Sequence, residues 1–214
     1  MPCPLEACEA FEKIAMIAES ERGGHKGFGP GHVLTLLYFL AREGRIGRPR
    51  ITRLLNIGES SAKTLLRALE ESGFITRYPR GHALTEEGSR ILSVIANVLT
   101  INILKLNLFL NSKGFLECII SCREGPRDLV SAISLRDYLV MEGCRTVVIG
   151  RMEQGRIELP GVPESIVELV NSRSQHVSHV NRGVYIGAPL ECRNAVLSAC
   201  IRMILDECKI ARRE

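Results

Sequence analysis

A regular succession of helix and strand patterns between Gly31 and Leu92 restricts the fold of this chain more than any other feature of its sequence. Apolar residues recur at helical spacing in three segments, and two short segments typical of strands follow. These predicted elements lie at residues 32–43, 50–55, 60–72, 74–78 and 82–85. Gly73 is placed to end the third helix, and Thr85 is a suitable N-cap for a fourth. The sequence therefore predicts helix, helix, turn, helix, hairpin and helix, in that order.

This order of elements is that of a winged helix-turn-helix. The stretch IGESSAKTLLRALEESGFI resembles the turn and the recognition helix of many archaeal and bacterial winged-helix regulators. The stretch GHALTEEG resembles their wing and the helix that follows it. The resemblance covers roughly Gly31 to Leu92, and it implies a domain that places its recognition helix in the major groove of double-stranded DNA.

The second half of the chain shows strands that alternate with helices. Strands are predicted at residues 102–110, 115–122, 145–152, 156–161 and 183–187. Helices are predicted at residues 125–143, 163–171 and 191–208. Because such alternation is typical of α/β domains, we expect a small α/β sandwich domain here. The chain as a whole is then a two-domain protein of the α+β or α/β class, with the winged helix first.

Two stretches of the second half, AISLRDYLVMEGCRTVVIGRMEQGRIELPG and GVYIGAPLECRNAVLSA, resemble the C-terminal domain of an archaeal family of uncharacterised winged-helix proteins. In that family a helix ending in glycine leads into a hairpin, and a late strand leads into a helix of small residues. Cys144, Cys192 and Cys200 stand here where small residues are usual. The resemblance implies an archaeal transcription regulator whose C-terminal domain has no assigned function.

The expected organisation is an N-terminal amphipathic helix (1–28), a DNA-binding domain (29–98) and an effector-binding or dimerisation domain (99–214). The apolar stripe of the first helix needs a cover, which either its own domain or a partner chain can supply. The last helix is apolar on several faces between Ala195 and Leu205. It is therefore either central in its domain or part of a homodimer interface.

Positive charge is concentrated in one segment of the chain. Between Arg45 and His82 there are eight Lys and Arg residues and three Glu residues, so the segment carries 8 − 3 = +5, whereas the whole chain carries +4. Such a patch suits the phosphates of DNA, because every neutralised phosphate releases counterions. A solvated charged face is the alternative interpretation.

The predicted elements assign these charges to positions typical of a DNA interface. The third helix turns its apolar side inward and leaves hydroxyls and cations outward near its N-terminus, where a recognition helix meets base edges. Further cations fall on the second helix, which crosses the DNA backbone, and on the hairpin, which contacts backbone or minor groove. The expected DNA-binding residues are Arg48, Arg50, Arg53, Ser60, Ser61, Lys63, Thr64, Arg67, Arg77 and Arg80.

The eight cysteines do not have the spacing of a zinc site, because the sequence contains no Cys-x2-Cys pair. We interpret them chiefly as small buried hydrophobic residues. Disulfides are the alternative, and Cys3 with Cys8 is then the simplest pair. His176 and His179 form an H-x2-H pattern that we assign to a polar surface loop rather than to a metal site. No metal and no cofactor are expected.

One turn in the second half suggests weak ligand binding. The strand that ends at Gly187 leads into a helix, and Arg193 lies in the first turn of that helix. Backbone N–H groups at a helix N-terminus can hold an anion, and the arginine would add charge. An ordinary packed strand-to-helix connection is the alternative interpretation.

No catalytic motif is recognisable, so we do not expect an enzyme. No apolar run reaches the roughly 18 residues of a membrane helix, and no secretion signal precedes the first helix, so we expect a cytoplasmic protein without membrane contact. The main hypothesis is a dimeric, double-stranded-DNA-binding transcription regulator with a possible small-molecule effector. The alternatives are a winged-helix assembly factor that docks proteins without DNA, and an enzyme with an unrecognised α/β active site.

Overall fold

The structure is a computed structural model, and it describes residues 3–19, 27–104, 112–126 and 129–212, the side chains of Leu129 and His176 excepted. These residues form a mixed α+β fold with eight α-helices and two antiparallel sheets. The helices are α1 Leu5–Ala18, α2 Pro30–Glu43, α3 Arg48–Leu55, α4 Glu59–Glu71, α5 Glu86–Ala96, α6 Leu129–Met141, α7 Glu164–Arg173 and α8 Arg193–Ala211. The strands are β1 Ile75–Tyr78, β2 Gly81–Leu84, β3 Leu99–Leu104, β4 Phe115–Ile120, β5 Val148–Glu153, β6 Arg156–Glu158 and β7 Arg182–Pro189.

Local signals set the elements of the first half, and all those predicted there are present with bounds shifted by at most two residues. The turn after α3 places Asn56 in the left-handed region, with φ at 56°. The hydroxyl of Thr85 accepts a hydrogen bond from the N–H of Gly88 at 3.0 Å, so it caps α5 as expected. Strands β1 and β2 pair with Ile75 opposite Leu84, and Ile46 adds a short bridge to His82.

The five-stranded sheet corrects the expectation of an α/β sandwich, because every neighbouring pair of its strands is antiparallel. Its order is β3-β4-β7-β5-β6. Two of the connections are local: β3 is followed by β4 beside it, and β5 turns into β6 through Gln154 and Gly155, whose φ angles are 50° and 77°. Local reversals give antiparallel pairs. The part of the first expected strand beyond residue 104 lies outside the described residues.

The last helix joins the two halves of the molecule. One side of α8 packs on α2 and α1, and its other sides meet β4, β7 and α6. Buried residues therefore form one continuous core from α1 through α8 to the sheet, which crosses the boundary expected after residue 98. Of the two roles considered for this apolar helix, the central one is observed, because the chain itself covers it. The stripe of α1 is likewise covered by its own chain.

The cysteines depart from expectation. Two disulfides fix α1 to the second half: Cys3 bonds to Cys122, and Cys8 bonds to Cys208. The pairing expected from proximity in sequence, Cys3 with Cys8, is wrong, because Cys8 lies on the face of α1 that packs against α8. The other four cysteines are not disulfide-bonded, and three of them are buried, in agreement with the interpretation as small hydrophobic residues.

Replacing Gly31 by alanine should loosen the contact between α2 and α8. A Cβ atom at Gly31 would lie 1.9 Å from the carbonyl oxygen of Asn194, and the Gly31 N–H donates to the Ser198 hydroxyl at 3.0 Å. Since the obstacle is backbone, the helices must move apart, and overpacking of this kind costs about 1–3 kcal/mol of stability. Chemical denaturation measures the loss. Gly58→Ala is the control, because its added methyl meets nothing within 4 Å; an equal loss in both variants would contradict the prediction.

Candidate nucleic-acid interface

A positively charged cleft of about 840 Å³ opens between the start of α3, the outer face of α4 and the β1–β2 hairpin. Helix α4 contributes two cations from positions four apart, and the hairpin contributes one from β1 and one from its turn. The cationic side chains that line the cleft are those of Arg48, Lys63, Arg67, Arg77 and Arg80. Glu70 is the carboxylate among the lining residues. Five of the ten residues expected to contact DNA thus line one cleft.

Four of these cations have no carboxylate partner within the described part of the chain: Arg48, Lys63, Arg77 and Arg80 are exposed and form no salt bridge there. Arg67 differs, because its Nε lies 2.7 Å from Glu71 one helical turn later. The hydrogen bond with Glu71 raises the pKa of Arg67 above its usual value. The unpartnered cations therefore dominate the charge that the cleft offers to an anion.

Two other residues expected to contact DNA form hydrogen bonds within the protein. The guanidinium of Arg50 donates two hydrogen bonds to Glu43, at 2.7 and 2.8 Å. The Nε of Arg53 donates to the carbonyl oxygen of Pro49 at 3.2 Å. Both side chains are exposed, but neither lines the cleft. They are therefore placed less favourably for DNA than the cleft residues.

The hydroxyls at the start of α4 also differ from one another. Ser60 and Thr64 are exposed, and the Thr64 hydroxyl donates to the Ser60 carbonyl at 3.1 Å. Ser61 is half-buried, because the chain at Gly27 passes over it: a Cβ atom at Gly27 would lie 2.4 Å from the Ser61 hydroxyl oxygen. Ser60 and Thr64 are therefore accessible, whereas Ser61 is partly covered.

A contact at the hairpin was not predicted from the sequence. The guanidinium of Arg45 lies over the ring of Tyr78, with 4.2 Å between Cζ and the ring centroid. Tyr78 is 41% exposed at the end of β1. Arg45 contributes to the charge of the segment but is not among the expected DNA contacts, and Tyr78 is expected only as a strand residue. An aromatic residue between Arg77 and Arg80 was the signal that could have indicated it.

His82 lines the cleft and connects the elements around it. Its Nε2 lies 3.1 Å from Oε1 of Glu70 on α4, while its backbone exchanges hydrogen bonds with Ile46, just before α3. Burial lowers the pKa of His82 below its ordinary value, and the opposing attraction of Glu70 is smaller. The neighbouring Arg77 lowers the pKa further. The imidazole of His82 thus connects the hairpin to α4, and the backbone of His82 connects the hairpin to the segment before α3.

Acidification should destabilise the protein through His82. Because the folded-state pKa is lowered, the unfolded chain binds the proton more readily, so stability falls as the pH drops below about 6.5. We expect His82→Gln to reduce the fall in melting temperature between pH 7 and pH 5. Glu70→Gln should enlarge that fall, because it removes the charge that favours protonated His82. Identical pH profiles for the wild type and both variants would contradict this role.

Gly187 and Arg193, the two residues expected to bind a ligand weakly, are both packed within the protein. Gly187 lies inside β7, not at its end, and a Cβ atom there would meet the Phe115 ring at 2.4 Å. The guanidinium of Arg193 donates to the backbone carbonyls of Leu54 and Leu190. Burial lowers the pKa of Arg193. The arginine therefore fastens the start of α8 to the end of α3, and this geometry favours the ordinary packed connection considered as the alternative.

Asn194 strengthens the same junction. Its Nδ2 donates to the carbonyl oxygen of Leu55 at 2.9 Å, and its Oδ1 accepts a hydrogen bond from the Thr35 hydroxyl at 2.8 Å. Arg193 and Asn194 thus satisfy the last carbonyl groups of α3, next to the turn that leads into α4. The second half of the chain holds the cleft-bearing segment in position through these side chains.

Other expected features can be placed only in part. Among the described residues, no group of three or more His, Cys, Asp and Glu side chains is arranged to hold a metal ion. His179 is exposed, and the side chain of His176 lies outside the described part. None of the described helices is long and apolar enough to cross a membrane.

Comparison with known proteins finds one family model that matches the segment bearing the cleft and one solved structure with a similar fold. Residues 30–90 match the family model of the PH0730-like N-terminal domain. The solved structure of hypothetical protein PH0730 from Pyrococcus horikoshii OT3 is similar, with a TM-score of 0.59 and 20% sequence identity over 84% of this chain and 92% of that chain. At this identity the likeness shows the fold alone. No curated protein sequence matches the chain. The expected resemblance to an archaeal protein is confirmed at this level.

Proposed function

We propose that this chain is a transcription regulator that binds double-stranded DNA through a winged helix-turn-helix formed by α2 to α5. In this proposal α4 is the recognition helix and the β1–β2 hairpin is the wing. The observation that carries the proposal is the cleft between them, where Arg48, Lys63, Arg77 and Arg80 are exposed and form no salt bridge with any carboxylate that the structure describes. Unpartnered cations on one surface are what a phosphate backbone requires.

The two sides of the cleft suggest different contacts. Lys63 and Thr64 lie on the exposed face of α4 near its N-terminus, where side chains of a recognition helix reach base edges. Arg77 and Arg80 lie on the hairpin, and Arg45 stacked on Tyr78 extends the positive surface beside it. We assign sequence reading to the helix and backbone contacts to the hairpin.

The test is retention of genomic duplex fragments by the full chain at increasing salt. Binding should be detectable at about 50 mM salt and should fall steeply by about 200 mM, since counterion release weakens as salt rises. Fragments retained at the higher salt, once sequenced, define the operator. If no fragment is retained at the lower salt, the regulator hypothesis is wrong, and the assembly factor without DNA contact becomes the better hypothesis.

The proposal includes a homodimer, because paired half-sites raise affinity and specificity. Since α8 is covered within the chain, the contact must use another surface. Three apolar residues of α6 are exposed to solvent: Val130 is 75% exposed, Ile133 42% and Met141 86%. A second copy of this chain is the occupant we assign to that face. Sedimentation of the wild type should give a dimer that Met141→Glu dissociates, and a wild-type monomer at micromolar concentration would exclude it.

We assign the small-molecule effector of this proposal to a cleft of about 710 Å³ between α6, α8 and the loop at Arg123. The hydroxyl of Tyr138 in its wall is buried and has no hydrogen-bond partner among the described residues. A buried hydroxyl of this kind favours a ligand that can bond to it. Thermal-shift screening of metabolites against the wild type and Tyr138→Phe tests the assignment, which fails if every hit stabilises both proteins equally.

A further inference from the structure

An exposed aromatic side chain lies among the cations of the positively charged cleft. Tyr78 is 41% exposed, and it lines the cleft together with Pro79. Arg77 and Arg80, which stand on either side of it in the sequence, contribute their charges to the same cleft. Binding to phosphates requires these cations, but it does not require an exposed aromatic ring. The position of Tyr78 therefore suggests a contact of a different kind.

The contacts of Tyr78 leave part of its ring open on the side of the cleft. The guanidinium of Arg45 covers one face of the ring, with Cζ 4.2 Å from the centroid, but Arg45 does not line the cleft. Tyr78 pairs with Gly81 across the hairpin, so its strand partner has no side chain that could cover the ring. Gly81 has a φ of 135°, and a Cβ atom there would lie 2.5 Å from the carbonyl oxygen of Ile46. The local backbone therefore keeps the ring uncovered.

A fixed aromatic ring beside phosphate-binding cations is the combination with which many proteins bind single strands of nucleic acid. A base stacks on the ring, and the cations follow the backbone on either side of that base. The cation–π contact with Arg45 orients the Tyr78 ring before a base arrives, so less side-chain freedom is lost on binding. The bases of an intact duplex stack on one another, and a base must leave that stack before it can meet a protein ring.

The size of the cleft and the distribution of its charges fit one such base and its neighbouring phosphates. The volume of about 840 Å³ lies within the range of roughly 300–1,000 Å³ that is usual for sites of small molecules. Arg48 and Lys63 line the cleft from the helices, whereas Arg77 and Arg80 line it from the hairpin. A strand whose base lies on Tyr78 would therefore find exposed cations on both sides of the ring.

We infer that Tyr78 is the stacking site for one unpaired base of a DNA strand, while the cations of the cleft contact the phosphates beside that base. The inference rests on the proposed function, because it concerns the same cleft and names the form of DNA that the cleft takes. It goes beyond duplex binding, since it gives the chain a preference for DNA in which one base has left the stack.

Three duplexes of one common sequence test the inference, with binding to the full chain measured by fluorescence anisotropy at about 0.1 M salt. The first is fully paired, the second carries one additional unpaired adenine nucleotide, and the third carries an abasic nucleotide at that position. The second and third share the same interruption of the backbone, so the difference between them reports the base. We expect the wild type to bind the duplex with the unpaired base roughly tenfold more tightly than the abasic one.

Substitutions at Tyr78 identify the ring as the cause of that preference. Tyr78→Phe should keep the preference, because stacking and the contact with Arg45 use the ring and not the hydroxyl. Tyr78→Leu should remove it, so that the base-containing and abasic duplexes bind equally. A preference that persists in Tyr78→Leu would contradict the inference. The comparison of the two duplexes on the wild type decides the matter even if a variant fails to fold.

Adenosine triphosphate distinguishes a base within a strand from a free nucleotide, which offers the same chemistry. We expect the nucleotide to bind roughly tenfold more weakly than the duplex with the unpaired base, or weaker still, because a strand reaches cations on both sides of the ring. Equal affinity of the wild type for both, lost in Tyr78→Leu, would assign the cleft to a free nucleotide and overturn the inference.

The paired duplex separates failure of this inference from failure of the proposed function. If the wild type binds the paired duplex, but binds the base-containing and abasic duplexes equally, DNA binding stands and the stacking role of Tyr78 is wrong. If none of the three duplexes binds even at about 50 mM salt, the proposed function and the inference both fail.

Discussion

Replacing Arg77 and Arg80 by alanine should weaken binding to duplex DNA roughly 100-fold at about 0.1 M salt, because each lost phosphate contact removes about one unit from the slope of log K against log salt. Both side chains are exposed on the hairpin and line the cleft without a carboxylate partner in the described part of the chain. Affinity should fall for all sequences alike, since backbone contacts carry no base information. Fluorescence anisotropy over a series of salt concentrations gives both the affinity and the slope.

The matched control removes the same charge elsewhere. Arg156 and Arg173 are exposed in the second half, away from the cleft, so Arg156→Ala with Arg173→Ala lowers the net charge by the same two units. If general attraction between a positive protein and DNA explained binding, both double variants would lose affinity equally. A clear loss confined to the Arg77 and Arg80 variant locates the interface, and equal losses refute it.

Lys63→Ala should change the sequence specificity of binding and not only the affinity. Because Lys63 lies on the outer face of α4, its loss should reduce discrimination between a selected operator and random duplex, at about 1–3 kcal/mol for each base-reading contact. The ratio of the two dissociation constants measures this effect. An equal loss of affinity for both duplexes would show that Lys63 contacts the DNA backbone and not a base.

Breaking the bond between Cys8 and Cys208 should lower the free energy of unfolding by about 2–5 kcal/mol. The bond spans 200 residues. Without it, the unfolded chain regains the conformational freedom that this closure removes, and the loss grows with loop length. Urea unfolding of the double variant Cys8→Ser with Cys208→Ser measures the change. The serines add to the loss, because Cys8 on α1 and Cys208 on α8 are buried where these two helices pack together.

Reduction of the wild type separates these contributions. Dithiothreitol opens both disulfides without changing a side chain, so the unfolding midpoint of the wild type should fall towards that of the variant. Cys192→Ser in an oxidising buffer is the control for thiol replacement, because Cys192 is in neither disulfide. A wild-type midpoint that does not respond to reductant would contradict the contribution assigned to the bonds.

Much of the first half could be predicted because its signals are local. Gly73 ends a helix through its positive φ, and Thr85 caps the next through a hydroxyl that accepts a hydrogen bond from the N–H group three residues later. The ion pair of Arg67 with Glu71 was also open to prediction, since the residues lie four apart on one helix. The expectation that Arg67 contacts DNA does not take this ion pair into account.

The second half was less predictable because its decisive features depend on distant residues. Alternation of strands and helices does not fix strand direction, and the order β3-β4-β7-β5-β6 results from how hairpins pack. The role of Arg193 needed the position of Leu54, which is 139 residues away. The partners of Cys3 and Cys8 likewise depend on where α1 lies against the rest of the fold.

The bond between Cys8 and Cys208 turns nearly the whole polypeptide into a covalent ring. A protease that cuts the backbone once within that ring produces a nicked molecule and no separate fragments until the bond is reduced. The same topology makes the ring suitable for circular permutation, because Cys8 and Cys208 are already joined. New termini opened at the tight turn of Gln154 and Gly155 would leave every strand of the sheet whole.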